Sequence, residues 1–157
     1  MTDAASGYYQ VVISAEQTVQ ANRILDALLA ARLVLGGPIV GGPAKFLWNF
    51  ATTNADVSAQ TAALGVVAVE QDYRLILTYT RAELKERVIA AAEAASLEKI
   101  CMISFLPMEP NRALAELIDD CVRRDDDAAA SAPGTVDAVA AVTYVPVSAI
   151  PERTISS

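Results

Sequence analysis

The stretch LVLGGPIVGGPAKFLW, residues 33–48, holds four glycines and two prolines in an otherwise apolar run. A phosphate-binding loop of the Walker type needs a lysine and then a serine or threonine after its second glycine. Gly42 and Pro43 occupy those positions here. Both prolines also lack the N–H group that an anion-binding turn of backbone amides uses. The stretch therefore indicates a strand bent by bulges, not a nucleotide-binding loop.

The flanking segments alternate between strand-like and helix-like patterns. Residues 7–14 and 66–80 are rich in β-branched and aromatic residues and predict strands, as do residues 99–108. Between the first strand and the glycine-rich stretch, an amphipathic helix is predicted over residues 16–33. Its apolar face is expected to contain these residues: Val19, Ala21, Ile24, Leu25, Leu28 and Leu29.

Two further helices follow from their start signals. Thr80 and Glu83 have the spacing of a capping box, which predicts a helix that runs to about Ala95. Its inward residues are expected to be Leu84, Val88, Ala91 and Ala92. Pro110 and Asn111 open a last helix, whose expected common face is formed by Leu114, Leu117, Ile118 and Cys121.

The order β-α-β-β-α-β with a trailing helix predicts an α+β fold, the ferredoxin-like split β-α-β sandwich, with an extra C-terminal helix and a β-capable tail. Residues 1–124 are expected to form the domain, and residues 125–134 a charged linker. Residues 135–157 form the tail, which would add to a sheet edge in its own or a neighbouring subunit.

Composition restricts the classes of partner. The chain has 157 residues and a net charge of −7, which disfavours nucleic acid and anionic membranes as partners. No apolar run is long enough to span a bilayer. The first ten residues lack the pattern of an export signal, so we expect a cytoplasmic protein. Cys101 and Cys121 would then be reduced core residues.

The absence of histidine limits the possible chemistry. Ser-His-Asp and Cys-His catalytic groups cannot form, and copper or zinc would lack imidazole ligands. Cys101 and Met102 are strand neighbours that point to opposite faces, so we expect no metal site and no cofactor. Glu70 and Asp72 are alternate strand residues that would share a face. They could serve acid–base chemistry or only solubility.

Several blocks resemble the CutA family of divalent-cation-tolerance proteins, small trimeric proteins related in shape to PII-type signalling proteins. ANRILDALLAARL, residues 21–33, is similar to the family's first helix, and FLW, residues 46–48, to its aromatic triplet. EQDYRLILTYTRAEL, residues 70–84, matches the strand-to-helix segment. ISFLPM, residues 103–108, matches a later block together with Asn111, Ala113, Leu114 and Ile118. The resemblance covers roughly two thirds of the chain.

The chain departs from the family where the family's proposed metal ligands lie. The family's cysteine corresponds to Gly36, and its His-Pro-Tyr-Glu-x-Pro-Glu signature falls on SLEKICM, residues 96–102, which retains almost none of it. Residues 51–66 are an insertion relative to the family, and the tail is longer than usual. The resemblance therefore implies a divergent member without the metal site.

The function implied is that of a homotrimer with clefts between subunits that bind an unknown small molecule or a partner protein. The expected cleft residues are Lys45, Trp48, Glu70, Asp72, Arg74, Tyr79, Glu98 and Lys99. An alternative is an enzyme that uses the trimer clefts for new small-molecule chemistry, with the insertion and tail as lids. A nucleotide-binding regulator of the PII type is a third interpretation, for which Lys45, Arg74 and Lys99 are the basic candidates.

Overall fold

The computed structural model describes residues 7–48, 66–97 and 101–124, which form a four-stranded sheet covered by helices. The strands are β1 (Tyr8–Ala15), β2 (Ile39–Trp48), β3 (Val66–Arg81) and β4 (Met102–Pro107). The helices are α1 (Thr18–Ala30), α2 (Lys85–Ala95) and α3 (Arg112–Cys121). The predicted α+β ferredoxin-like fold, with its trailing helix, is confirmed.

The sheet has the strand order β2-β3-β1-β4, and all neighbouring strands are antiparallel. In β1, Ile13 pairs with Ile76 of β3 on one side and with Ile103 of β4 on the other. Val11 and Ile13 are fully buried under the helices. Because side chains alternate along a strand, Val12 between them lies on the opposite face of the sheet.

Most of the predicted core residues of the helices are buried, and the prediction is wrong at two positions of α1. Ala21, Ile24 and Leu28 are fully buried, as are the predicted residues Leu84, Val88 and Ala92 of the second helical segment. Val19, however, is 71% exposed, because 3.6 residues per turn place it about 160° around the helix from Ala21. Gln20 is buried instead, and its side-chain oxygen accepts a hydrogen bond from the Glu16 N–H at 2.9 Å.

The glycine-rich stretch is irregular where it approaches β3. Before β2 begins, the Leu35 N–H donates to the Tyr79 carbonyl at 2.9 Å, and the Leu77 N–H donates to the Pro38 carbonyl at 3.1 Å. Gly36 between them has φ +92°, a left-handed conformation that favours glycine. Residues 33–38 therefore follow β3 without forming a regular ladder.

A bulge in the β2–β3 pair confirms the predicted bend but lies on the other strand. Gly42 pairs with Tyr73 and Ala44 with Glu70, so one residue of β2, Pro43, opposes two residues of β3. Proline cannot donate a ladder hydrogen bond. Because one residue of β2 opposes two residues of β3, the extra residue of the bulge belongs to β3, and not to the glycine-rich strand in which we expected it.

The expected capping box at Thr80 is wrong. Thr80 is fully buried within β3, and its hydroxyl donates to the Leu33 carbonyl at 2.6 Å. Because β3 pairs with β1 as far as Arg81, Thr80 cannot leave the strand to cap a helix. A 3₁₀ turn, Ala82–Leu84, instead connects β3 to α2.

The last helix starts where the sequence predicted, but it buries less than its pattern suggested. The Asn111 side chain accepts a hydrogen bond from the Leu114 N–H at 3.0 Å, which is an N-cap. Ile118 is the buried residue of α3, whereas Leu117 and Cys121 are exposed. The helix covers only the end of the sheet, so Cys121 is not a core residue. Cys101 is half-buried, and both thiols are free.

Three predictions concern residues that the structure does not describe. The linker 125–134 and the tail 135–157 lie outside the described residues, and so does the insertion 51–66 apart from Val66. In the described ranges, no helix combines the length and the apolar character needed to cross a membrane.

Candidate ligand-binding cleft

The β2–β3 pair extends beyond the rest of the sheet as a two-stranded ribbon. β3 has 16 residues, but β1 pairs only with Arg74–Arg81 of it. Among the described residues, the other half, residues 66–73, pairs only with β2. An isolated two-stranded ribbon is at best marginally stable in water. This ribbon therefore needs cover from elsewhere in the chain or from another copy.

Most of the expected cleft residues are distributed along this pair of strands. Lys45 is exposed on β2, next to the Ala44–Glu70 pair, and Trp48 is the last residue of β2. Glu70 and Tyr79 are nine positions apart on β3, a separation of about 30 Å at the usual strand rise. One protomer therefore does not gather these residues into a single pocket. Glu98 and Lys99 lie outside the described residues.

The bulge changes the argument for the acidic pair. Strict alternation would place Glu70 and Asp72 on one face of β3. The register shift falls between Glu70 and Tyr73, so Asp72 is one of the two residues that oppose Pro43. A bulge interrupts the alternation. Alternation alone therefore no longer supports a shared face, which stays a prediction for Glu70 and Asp72.

Arg74 lies at the junction of the ribbon with the sheet. Its Nε donates to the Thr18 hydroxyl at 2.9 Å, at the first residue of α1. It pairs with Gly41, and a Cβ there would overlap the Arg74 guanidinium. The missing side chain of Gly41 thus leaves the space in which the arginine reaches the helix.

Aromatic side chains occupy the half of the sheet that includes the ribbon. Tyr79 is half-buried, pairs with Gln10 and packs against the core. Farther along, the rings of Phe46 and Tyr73 lie with centroids 4.8 Å apart at an angle of 58°. Tyr73 is half-buried and faces the side of the sheet away from the helices, by alternation from Ile76.

That side of the sheet, which we call the open face, presents apolar side chains, and no helix of the described ranges covers it. On β1 and β3 it presents Val12, Leu75 and Leu77, which are half-buried. Toward the sheet edges it presents Val40 of β2, Met102 and Leu106, which are exposed by 42%, 42% and 47%. Exposed apolar residues grouped on one face are typical of an interaction surface.

Solved structures with a similar fold were found for this chain. The chain superposes on CutA1 from Oryza sativa with a TM-score of 0.60 and 14% identity, covering 78% of this chain and 100% of that one. The chain has a CutA-like fold. The periplasmic divalent cation tolerance protein CutA from Archaeoglobus fulgidus matches with a TM-score of 0.53 and 19% identity, over 74% and 99% of the two chains.

A third structure with the CutA-like fold contains a small molecule. CutA from Synechococcus elongatus, solved in complex with Bis-Tris, matches with a TM-score of 0.53 and 11% identity, over 74% of this chain and 95% of that one. No protein-family model matches the chain, and no curated protein matches it in sequence. The likeness to CutA is therefore one of fold.

The acidic residues and thiols of this CutA-like chain do not converge where the structure describes them. Within those ranges, no group of three or more cysteine, aspartate or glutamate side chains could hold a metal ion. The thiol of Cys101 has a raised pKa because the residue is partly buried and lies near Glu93. A raised thiol pKa reduces the thiolate fraction that binds metals.

A charged cluster ties α3 to the sheet. The Tyr8 hydroxyl donates to both carboxylate oxygens of Asp119, at 3.0 and 3.1 Å. Arg81 Nη2 lies 2.7 Å from Asp119 Oδ1, and the Arg81 side chain is only 12% exposed. Desolvation and the neighbouring carboxylate raise the pKa of Tyr8. A tyrosine that holds its proton this firmly acts here as a structural donor.

One surface hollow, which we call the arginine hollow, was not predicted from the sequence. It has a volume of about 420 Å³ and is lined by Ala30, Ala31, Arg32 and Arg123. Arg32 has φ +53°, at a position where helices commonly end on glycine. An arginine directly after the predicted helix was the available signal. Its partner follows α3, and only the fold brings the two together.

Proposed function

We propose that the protein is a homotrimer with the CutA-like fold that binds a small molecule or a partner protein in the clefts between subunits. The supporting observation is the open face, which presents apolar residues on all four strands. It contains both half-buried residues such as Leu77 and exposed ones such as Leu106. Burial against two further copies would remove this surface from water.

The β2–β3 ribbon supports the same assembly. In the part of the chain that the structure describes, residues 66–73 of β3 have only β2 as a strand neighbour. A neighbouring subunit would cover the ribbon and bring its own residues close to Lys45 and Glu70. The cleft residues, which extend over about 30 Å of strand, would then line one wall of a cleft that two subunits share.

The assembly is tested by light scattering of the purified full chain. We expect about three times the chain mass of 16.6 kDa. Leu106→Glu places a charge on the open face and should shift the mass to that of one chain while circular dichroism stays unchanged. Val19→Glu is the matched control, because Val19 is 71% exposed on a helix of the opposite layer. A monomeric wild-type protein would exclude the assembly and the clefts with it.

Ligand binding is tested with the molecule found in the Synechococcus protein. A calorimetric titration with Bis-Tris should saturate, and Glu70→Gln should weaken the binding by about tenfold or more, because the amine of Bis-Tris favours a carboxylate partner. Glu109→Gln removes an equal charge from an exposed residue after β4 and should leave the affinity within about twofold. Equal loss in both variants would show an effect of net charge alone.

The proposed ligand class excludes transition metals, nucleic acid and membranes. The full chain has no histidine and a net charge of −7. We also propose a cytoplasmic location, for which the two free thiols are the supporting feature, since thiols persist in reducing compartments. Cell fractionation tests it, and recovery from an oxidising compartment would contradict it. In the described ranges no contact favours the alternative of an enzyme.

A further inference from the structure

The arginine hollow lies where the ends of two helices meet, in the helical layer and away from the open face. Ala30 and Ala31 end α1, and Arg123 follows α3. The Arg123 N–H donates to the Arg32 carbonyl at 2.9 Å, which fixes the two arginines beside each other. The backbone at the hollow is therefore defined by hydrogen bonds from both helices.

Arg32 is oriented by α3. Its Nε donates to the Cys121 carbonyl at 3.0 Å, and its Nη2 donates to the Asp120 carbonyl at 3.2 Å. A guanidinium has five N–H groups. These two bonds leave three, for which the described residues provide no acceptor. The side chain is thus held in place while most of its donors remain available.

Arg123 has a buried donor without an acceptor. Its Nε is shielded from solvent and makes no hydrogen bond within the described part of the chain. Leaving a buried donor of a charged group unsatisfied destabilises the folded chain, because its lost hydration is not replaced. An acceptor oxygen can reach the Nε from the hollow only when the Arg123 side chain shifts, and such an acceptor would remove this destabilisation.

Among the contacts of the described residues, no carboxylate is paired with Arg32 or Arg123 by a hydrogen bond or salt bridge. The methyl groups of Ala30 and Ala31 contribute no acceptor, and Asp119 is bound to Tyr8 and Arg81. The helix-end carbonyls of α1 also have donors, because the Arg32 and Leu33 N–H groups donate to Leu29 and Leu28. The negative ends of the helices are therefore already engaged by hydrogen bonds.

We propose that the arginine hollow binds an oxyanion, a carboxylate or a phosphate, between the guanidinium groups of Arg32 and Arg123. Guanidinium groups favour these anions because two parallel N–H donors match two oxygens. The anion has two possible sources. It can be a free small molecule, or it can be a carboxylate of Asp125, Asp126 or Asp127, which follow Arg124 in the sequence.

Inorganic phosphate is the probe, titrated calorimetrically into the full chain at constant ionic strength. We expect saturable binding with a Kd near 1 mM, about −4 kcal/mol. Arg123→Gln should weaken it about tenfold or more, because it removes the charge and most donors from one wall. Arg112→Gln is the control with equal charge change, since its side chain is 92% exposed and pairs with Glu116. Its effect should stay within about twofold.

The source of the anion is separated by a second full-length variant, with Asp125, Asp126 and Asp127 all changed to asparagine. Tighter phosphate binding in this variant would show that the chain's own carboxylates occupy the hollow. Unchanged binding would assign it to a free anion. Absence of saturable binding in both chains, or equal loss in Arg123→Gln and Arg112→Gln, would overturn the proposal.

Discussion

Each residue of the Gly36-Gly37 pair has a separate physical reason to be glycine. Gly36 has φ +92°, which other residues rarely adopt. Gly37 lies so close to β3 that a Cβ would overlap the backbone carbonyl of Leu77. Gly36 therefore allows a left-handed backbone conformation, and Gly37 allows two backbones to approach each other closely.

Gly37→Ala is expected to destabilise the protein by more than about 2 kcal/mol, because its new methyl group would collide with backbone that has no room to move. Gly42→Ala is the matched control. Nothing lies within 4 Å of the Cβ it would add, so its effect should stay below about 1 kcal/mol. Urea unfolding of both variants compares the free energies. Similar values for the two would refute the close-approach argument.

The pKa of Tyr8 predicts a dependence of stability on alkaline pH. The folded protein raises this pKa above the ordinary value of 10.0 through desolvation and the hydrogen bond to Asp119. The stabilisation is therefore complete below pH 10 and is lost as pH rises through the folded-state pKa. Tyr8→Phe should be less stable than the wild type at neutral pH, and the difference should shrink above pH 10. Parallel unfolding free energies from pH 8 to 11 would contradict the assignment.

At the scale of elements, α3 is attached mainly by its two ends and one buried residue. Asn111 caps its first turn, Ile118 enters the core, and Arg32 donates to two carbonyls of its last turn. A helix of ten residues is marginal without such contacts. Its caps therefore contribute to its stability beside the pairing of Asp119 with Tyr8 and Arg81.

Asn111→Ala should lower the free energy of unfolding by about 0.5–2 kcal/mol, because it leaves the Leu114 N–H without its acceptor. Asn111→Ser keeps a side-chain oxygen in the cap and should retain most of the stability. Thermal or urea unfolding measures both variants. Equal losses would mean that Asn111 acts through something other than the cap.

How far the sequence could predict these elements depended on the separation of the interacting residues. The Asn111 cap was predictable because its acceptor and donor are three residues apart. The cap predicted at Thr80 is wrong because its hydroxyl donates to the carbonyl of Leu33, 47 residues away. Pro43 signalled an irregular strand, but only the pairing shows that the extra residue belongs to β3. Interactions between residues close in sequence could be predicted, whereas contacts that depend on which strands are neighbours could not.

At the scale of the whole molecule, the same distinction applies to the sites. The strand and helix order and the family blocks were sufficient for the fold. The cleft residues were chosen by position in the chain, and the strands separate Glu70 from Tyr79 by about 30 Å. The arginine hollow joins Arg32 to a residue beyond α3, so no local pattern contains it. Sites built from distant segments require the packed molecule, and those between subunits require the assembly.

An assembly held by the open face predicts that thermal stability depends on protein concentration. If three folded chains dissociate as they unfold, each tenfold increase in concentration stabilises the folded state by about 0.9 kcal/mol per chain. For a chain of this size, that shift raises the Tm by about 2–4 °C. Calorimetry over a hundredfold concentration range would measure it. Leu106→Glu should abolish the dependence and Val19→Glu should keep it, whereas a concentration-independent wild-type Tm would show that the open face does not hold the folded chains together.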